Sequence, residues 1–118
     1  MRENRLAFER RAIVPHVYRD LSAPDTSSTL LGARLAVPLI SPPTMGHGLA
    51  HRSAESGTIR GVHAAGGQFV LSTLSNHSIE QVAAASQGPR WFQLYQQQDD
   101  GLTRELLQRA RAAGVQAA

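Results

Sequence analysis

The sequence predicts an α/β protein in which short buried strands alternate with helices around a parallel sheet. Three apolar runs, Leu39-Ile40, Phe69-Val70-Leu71 and Trp91-Phe92, lead into polar residues. A stretch with helical periodicity, marked by capping residues or a closing glycine, follows each run. Successive β-α units require crossover connections that leave their strands parallel. The polar strand ends then share one edge, the edge at which such sheets hold ligands.

In chain order, Asn4 to Val14 reads as a short helix with Leu6, Phe8 and Ile13 as apolar contacts, stopped by Pro15. Ser22-Ala23-Pro24-Asp25 marks a turn. Ser28 to Leu31 and Ala33 to Val37 flank Gly32 as a β-hairpin, whose register one glycine leaves open. Leu39-Ile40 opens the first buried strand, which ends at Ser41-Pro42-Pro43-Thr44. His51 to Ala65 is a helix with Ile59 and Val62 inward, closed by Gly66-Gly67. Phe69 to Thr73 is the second strand, a continuous apolar run of the kind buried on both faces.

Ser78-Ile79-Glu80-Gln81 fits a capping box and opens a helix that ends by Gly88. Trp91 to Tyr95 is the third strand. Asp99-Asp100 supplies the cap and a dipole-favoured charge for a further helix, with Leu102, Leu106, Ala110 and Ala113 on one face. Gly114 closes it, and Val115 to Ala118 opens a fourth strand. Periodicity alone leaves two architectures, a doubly wound sheet and a closed barrel.

Composition excludes several function classes. At 118 residues, with 42% hydrophobic and 18% charged residues, the chain is an ordinary single globular domain. All twelve basic residues are Arg, and the net charge is only +3. They are scattered, with no block longer than Arg10-Arg11, so no phosphate-tracking stripe and no nucleic-acid partner is expected. There is no Cys, which removes disulfides and thiolate metal sites. No apolar run approaches the ~18 residues of a membrane span, and Met1 to Arg5 has no apolar signal core. The expected location is the cytoplasm.

The polar strand ends carry the candidate chemistry. Pro43-Thr44-Met45 taken alone is a rigid strand-to-loop turn, because Pro fixes φ and removes a donor. Ser72 taken alone is a local hydrogen-bonding residue at a strand end. Gln93 and Tyr95 alternate with Phe92 and Leu94, so both point to one side of the sheet. That fits an exposed edge strand, or polar groups turned toward a bound ligand. His47 and His51 have the spacing of a zinc helix pair, but Gly46 and Gly48 argue against a helix at that point. The pair also lacks the accompanying Glu and a third ligand, so no metal is assigned.

Read together, Pro43-Thr44-Met45, Leu71-Ser72-Thr73 and Arg90-Trp91-Phe92-Gln93-Leu94-Tyr95 resemble the FMN-dependent α-hydroxy acid oxidases and dehydrogenases, a family that includes glycolate and lactate oxidases. The resemblance runs from Glu3-Asn4-Arg5-Leu6-Ala7-Phe8 to Arg109-Ala110-Arg111-Ala112-Ala113-Gly114, and His47-Gly48-Leu49-Ala50-His51 looks like its lactate oxidase branch. It implies the first part of a (β/α)8 barrel, with 1–37 as a pre-barrel helix and hairpin and 38–118 as barrel units one to three. It also implies FMN as cofactor and oxidation of a small, lactate-like L-2-hydroxy acid. Oxygen or another acceptor would follow, in a tetramer.

By resemblance, the Pro43, Thr44 and Met45 backbone lies against the flavin near its reactive nitrogen. Ser72 touches the ring, Gln93 hydrogen-bonds the ring's polar edge, and Tyr95 contacts the substrate. Met45 stands where many relatives have Ala, and Leu74 where glycolate and lactate oxidases have an aromatic. The family's catalytic His, its carboxylate-binding Arg residues and its phosphate site have no counterpart here. No catalytic residue is therefore assigned, and the isolated chain is expected to be inactive. The competing expectation is a non-catalytic truncated fragment, or a flavin-binding module that needs a complementary segment.

Overall fold

Three parallel strands stand side by side in chain order, with helices against one face. The computed structural model describes residues 2–118. Its elements are α1 (Arg2–Glu9), β1 (Ser28–Leu30), β2 (Ala33–Leu35), β3 (Ile40–Ser41), α2 (His47–Ala50), α3 (Ala54–Ala64), β4 (Gln68–Ser72), α4 (Ile79–Ala85), β5 (Arg90–Gln93) and α5 (Asp100–Ala112). The main sheet runs β3-β4-β5, all parallel, with Ile40 paired to Gln68 and Phe69 to Arg90. Beyond β5, Trp91 bridges Ala117 in parallel, and the Phe92 N–H donates to the Ala117 carbonyl at 2.9 Å. The segment expected as a fourth strand therefore lies next in order.

Alternation decides what each face carries. Phe69, Leu71 and Phe92 turn toward the helices and pack with Ile59 of α3, Ile79 and Val82 of α4, and Ala110 of α5. Full burial of side chains such as Ile59, Phe69 and Val82 contributes about 1.5–3 kcal/mol each. The opposite face presents Gln68, Val70, Ser72, Trp91 and Gln93. Leu106 and Ala113 of the C-terminal stripe reach the core edge, but Leu102 stays exposed because it lies in the first turn of α5, beyond that edge.

Local signals place most boundaries. Ser78 and Gln81 form the reciprocal capping box at the start of α4, and the Asp99 side chain accepts from the Gly101 N–H at the start of α5. The hairpin closes through Leu31 and Gly32, both at positive φ, and Leu30 pairs with Ala33. That is the two-residue turn whose twist suits antiparallel strands. Leu35 and Ala33 are buried, and the Ala36 N–H donates to the Gly66 carbonyl, pinning the hairpin at the amino end of β4. Gly66 sits at φ +76°, and a Cβ there would stand 2.7 Å from that of Ala36, so two reasons demand glycine.

Several expectations are corrected. The first helix ends at Glu9 rather than Val14, and Phe8 and Ile13 are exposed, Ile13 almost fully. A helix this short gains little stability by itself, and it buries none of its residues. The helix expected over His51–Ala65 begins only at Ala54, and a separate short helix, α2, precedes it. His51 is extended, and its Nδ1 accepts the Ser53 N–H, so the ring competes with the helix for that amide. Gly46 and Gly48 do not prevent a helix, since α2 forms and is entered through Gly46 in the left-handed region. The first strand is only Ile40–Ser41, and Leu39 and Ile40 are exposed because β3 is an edge of the sheet.

The radius of gyration is 17.7 Å, against about 13–14 Å for an ordinary domain of this length. Residues 10–27 form no helix or strand and expose Val14, Val17, Tyr18 and Leu21, and α1 before them buries no residue.

Candidate functional site

The carboxyl ends of β4 and β5 are level, since Ser72 pairs with Gln93. Both side chains project from the face away from the helices, and Ser72 is buried. Its hydroxyl donates to Gln93 Oε1 at 3.3 Å and accepts the Leu74 N–H at 3.1 Å. One bond holds the carboxamide, and the other folds the chain into the turn after β4. The result is a hydroxyl and a primary amide side by side at a strand edge. Such a pair offers donors and acceptors to a planar, polar-edged molecule.

Thr73 secures the same edge from the other side. Its N–H donates to the Gln93 carbonyl at 3.0 Å, and its hydroxyl donates to that same oxygen. The hydroxyl also accepts the Tyr95 N–H at 3.0 Å. The main chains of Gln93 and Tyr95 are thus tied to one side chain. The strand itself stops at Gln93, so the expected alternation through Tyr95 is corrected. Tyr95 lies just past the strand end, with its side chain 56% exposed.

Pro43, Thr44 and Met45 follow β3. Ser41 pairs with Phe69, three residues before Ser72, so the chain after Ser41 runs toward the same edge. The Thr44 hydroxyl donates to the Pro42 carbonyl at 3.3 Å, and Met45 is 65% exposed. A cleft of about 670 Å³ opens beside this segment, bounded by Ser41, Thr44, Met45, His47 and Thr58. His47 Nδ1 lies 2.8 Å from Thr58 Oγ1, and His51 Nδ1 lies 2.8 Å from Ser53 Oγ. The two imidazoles therefore turn to separate partners. Among the described residues, no group of three or more His, Cys, Asp or Glu is placed to hold a metal ion.

Two residues that shape this edge escape a reading of the sequence alone. In sequence Thr73 is only the last residue of a strand, and its clamp on β5 depends on register. Glu55 is one polar residue in an amphipathic helix. It is 1% exposed, and both its oxygens accept backbone amides from the loop after β4. Burial pushes its carboxyl up, but the amides of Asn76, Glu55 itself and His77, with the charge of His47, outweigh that and hold it below the usual range. A carboxylate in the first turn of a helix was the available signal.

The sequence profile of the FMN-dependent dehydrogenases matches residues 1–118. An L-lactate oxidase of Alicycliphilus denitrificans is 44% identical over 114 residues, covering 97% of this chain and 31% of its own length. A mandelate oxidase solved with 3,3-difluoro-2-hydroxy-3-phenylpropionic acid superposes with a TM-score of 0.89 at 36% identity, covering 95% of this chain and 34% of that one. A mandelate oxidase variant with a C4a-OH-FMN adduct also superposes with a TM-score of 0.89, at 35% identity, over the same shares. The chain spans about a third of the length of the curated relatives it matches.

Proposed function

The chain belongs to the family of FMN-dependent dehydrogenases, and from that premise we propose that it forms the FMN-facing first part of an enzyme oxidising a small, lactate-like L-2-hydroxy acid to the 2-oxo acid. The observation that carries this reading is the level pairing of Ser72 with Gln93 at the carboxyl ends of adjacent parallel strands. Residues 1–37 are then the pre-barrel helix and hairpin, and 38–118 the first three units of a (β/α)8 barrel. The strand sequence β3, β4, β5, then Ala117, without reversal, supports a barrel over a doubly wound sheet, whose order reverses at a switch point.

FMN is the cofactor of the family. The residues present fit it, because the Ser72 hydroxyl and Gln93 carboxamide offer donors and acceptors to a ring with a polar edge. The exposed stretch Pro43, Thr44 and Met45 offers a rim for the ring to lie against. Bound FMN supplies a two-electron acceptor. Gln93 would orient the ring's polar edge, with Ser72 holding its carboxamide. Tyr95 would direct its hydroxyl to the substrate carboxylate or hydroxyl, and Thr73 would hold both main chains in place. Met45, larger than the Ala of many relatives, would press on the ring, and Leu74 would leave the substrate pocket without an aromatic wall.

No residue of this chain is assigned as the base. The electron acceptor is oxygen or another oxidant, the assembly is the family's tetramer, and the location is cytoplasmic on this reading. No helix among the described residues is long and apolar enough to cross a membrane.

The test is FMN titration, followed by flavin fluorescence, of this chain supplied with the complementary segment of a relative. Gln93→Leu should weaken binding by about 1–3 kcal/mol through one polar contact left unmade. Equal affinity in parent and variant would refute the assignment.

A second reading has its own observation. Leu39 and Ile40 are exposed along the free edge of β3, beside an apolar cleft of about 310 Å³ lined by Val37, Leu39, Ile40 and Val62. A strand edge of this kind invites pairing, which favours a flavin-binding module that takes up FMN only with a complementary segment.

A further inference from the structure

We propose that Glu55 is a positioning residue for the ligand edge, its buried carboxylate setting the shape of the loop after β4 and, through Asn76, of the segment after β3. The proposal rests on the flavin reading of that edge.

The network is continuous. Glu55 Oε1 accepts the Asn76 N–H at 3.0 Å, and Oε2 accepts the His77 N–H at 3.1 Å. Asn76 then reaches across, its Oδ1 accepting the Gly48 N–H at 2.8 Å, three residues after Met45. A Cβ on Gly48 would come within 3.1 Å of the Asn76 carboxamide, so the crossing is close as well as bonded. Next to Glu55 on α3, Ser56 Oγ lies 2.8 Å from His77 Nδ1. The Ser75 hydroxyl donates to the His77 carbonyl at 2.6 Å, closing the loop on itself. One turn along α3, Thr58 holds His47.

Energetics indicate why a carboxylate stands there. Among the described residues, no Arg or His lies within ion-pair distance of Glu55. A buried carboxylate without a cation is costly unless its oxygens are filled by donors. Here two backbone amides fill them, and such charge-assisted bonds are about twice as strong as neutral ones. The loop they hold begins at Thr73, the residue that clamps Gln93 and Tyr95. Glu55 touches neither candidate ligand position. It acts through the loops that carry them.

Glu55→Gln is the test, made in the full chain and assembled with the complementary segment wherever flavin uptake requires it. Two quantities are read, amide hydrogen exchange and FMN affinity. Exchange at Asn76 and His77 should quicken about tenfold or more, because a carboxamide keeps one neutral acceptor oxygen and turns a donor NH2 to the other amide, and FMN affinity should fall by about tenfold. The Gln81 amide, held by the Ser78 cap, should exchange as before. Asn76→Ala, at an exposed position, is the second variant. It leaves the Glu55 bonds in place, and it should quicken exchange at Gly48 and weaken FMN binding.

Unchanged exchange at Asn76 and His77 in Glu55→Gln overturns the proposal. So does quickened exchange with FMN affinity equal to the parent's, which would leave Glu55 a purely structural role. If Glu55→Gln does not fold, Asn76→Ala decides: exchange at Gly48 and FMN affinity both equal to the parent's overturn the proposal. A parent protein that takes up no FMN defeats the flavin reading alone, and the exchange comparison still decides whether Glu55 holds its loop.

Discussion

Arg109 of α5 grips Glu80 of α4 with both prongs of its guanidinium, Nε at 2.8 Å and Nη2 at 2.9 Å from the two carboxylate oxygens. This paired geometry joins two neighbouring helices on the outer face, where an exposed single contact would contribute little. Arg109 beside it, with help from local backbone and Ser78 bonds, lowers the Glu80 carboxyl to about 2. A depressed carboxyl adds stability above its unfolded pKa and loses it as pH falls through the folded one. The urea midpoint of the parent should therefore fall between pH 4.5 and pH 2 more steeply than that of Arg109→Met. The Glu80 carboxyl resonance should titrate higher in the variant than in the parent, closer to the ordinary value. A Glu80 midpoint unmoved by removal of Arg109 would contradict the pairing.

Gly88 and Gly61 should respond oppositely to alanine. A Cβ at Gly88 would stand 2.4 Å from the Nδ1 of His63. That ring cannot swing away freely, because Nδ1 lies 2.6 Å from Ser86 Oγ and Nε2 lies 2.8 Å from the Pro89 carbonyl. Gly88→Ala should destabilise by about 1–3 kcal/mol, the range for overpacking. At Gly61, in the exposed interior of α3, nothing lies within 4 Å. Gly61→Ala should add about 0.4–1 kcal/mol by restricting the unfolded chain. Thermal melts of the two variants check both signs.

Removing the Thr73 hydroxyl should loosen the end of β5. Thr73→Val keeps the shape but loses the bonds to the Gln93 carbonyl and the Tyr95 amide. Two such bonds contribute about 1–3 kcal/mol together. Thr73→Ser should restore most of that loss. Urea denaturation measures the cost, and faster amide exchange at Tyr95 locates it. Equal stability of parent and Thr73→Val would show that the clamp is dispensable.

Turnover should be absent from the 118-residue polypeptide by itself. A general base must come within about 3 Å of the hydroxyl it deprotonates. His47 and His77 face the hydroxyls of Thr58 and Ser56 through Nδ1, and no residue of this chain is assigned as the base. Pure polypeptide with added FMN and L-lactate should form no hydrogen peroxide. Measurable peroxide would show that a histidine of this chain acts as base.

Local chemistry along the chain determined the element types. Ser78 with Gln81, Asp99 before α5, Gly32 in the hairpin turn and the apolar run into Ser72 each act over a few residues, so each could be read directly. The resemblance carried by Pro43 to Met45, Ser72, Gln93 and Tyr95 pointed to the family that the comparisons show. Tertiary structure alone decided the rest. The level pairing of Ser72 with Gln93 depends on how two strands 21 residues apart slide against each other, which no local signal encodes. The end of α1 at Glu9 went with the burial of none of its residues, and the break at His51 with one imidazole capturing one amide. Glu55 looked like any charged residue of an exposed helix face until the loop after β4 folded over it. Burial and hydrogen-bond partners are set by what arrives from elsewhere in the chain, and that is a property of the fold.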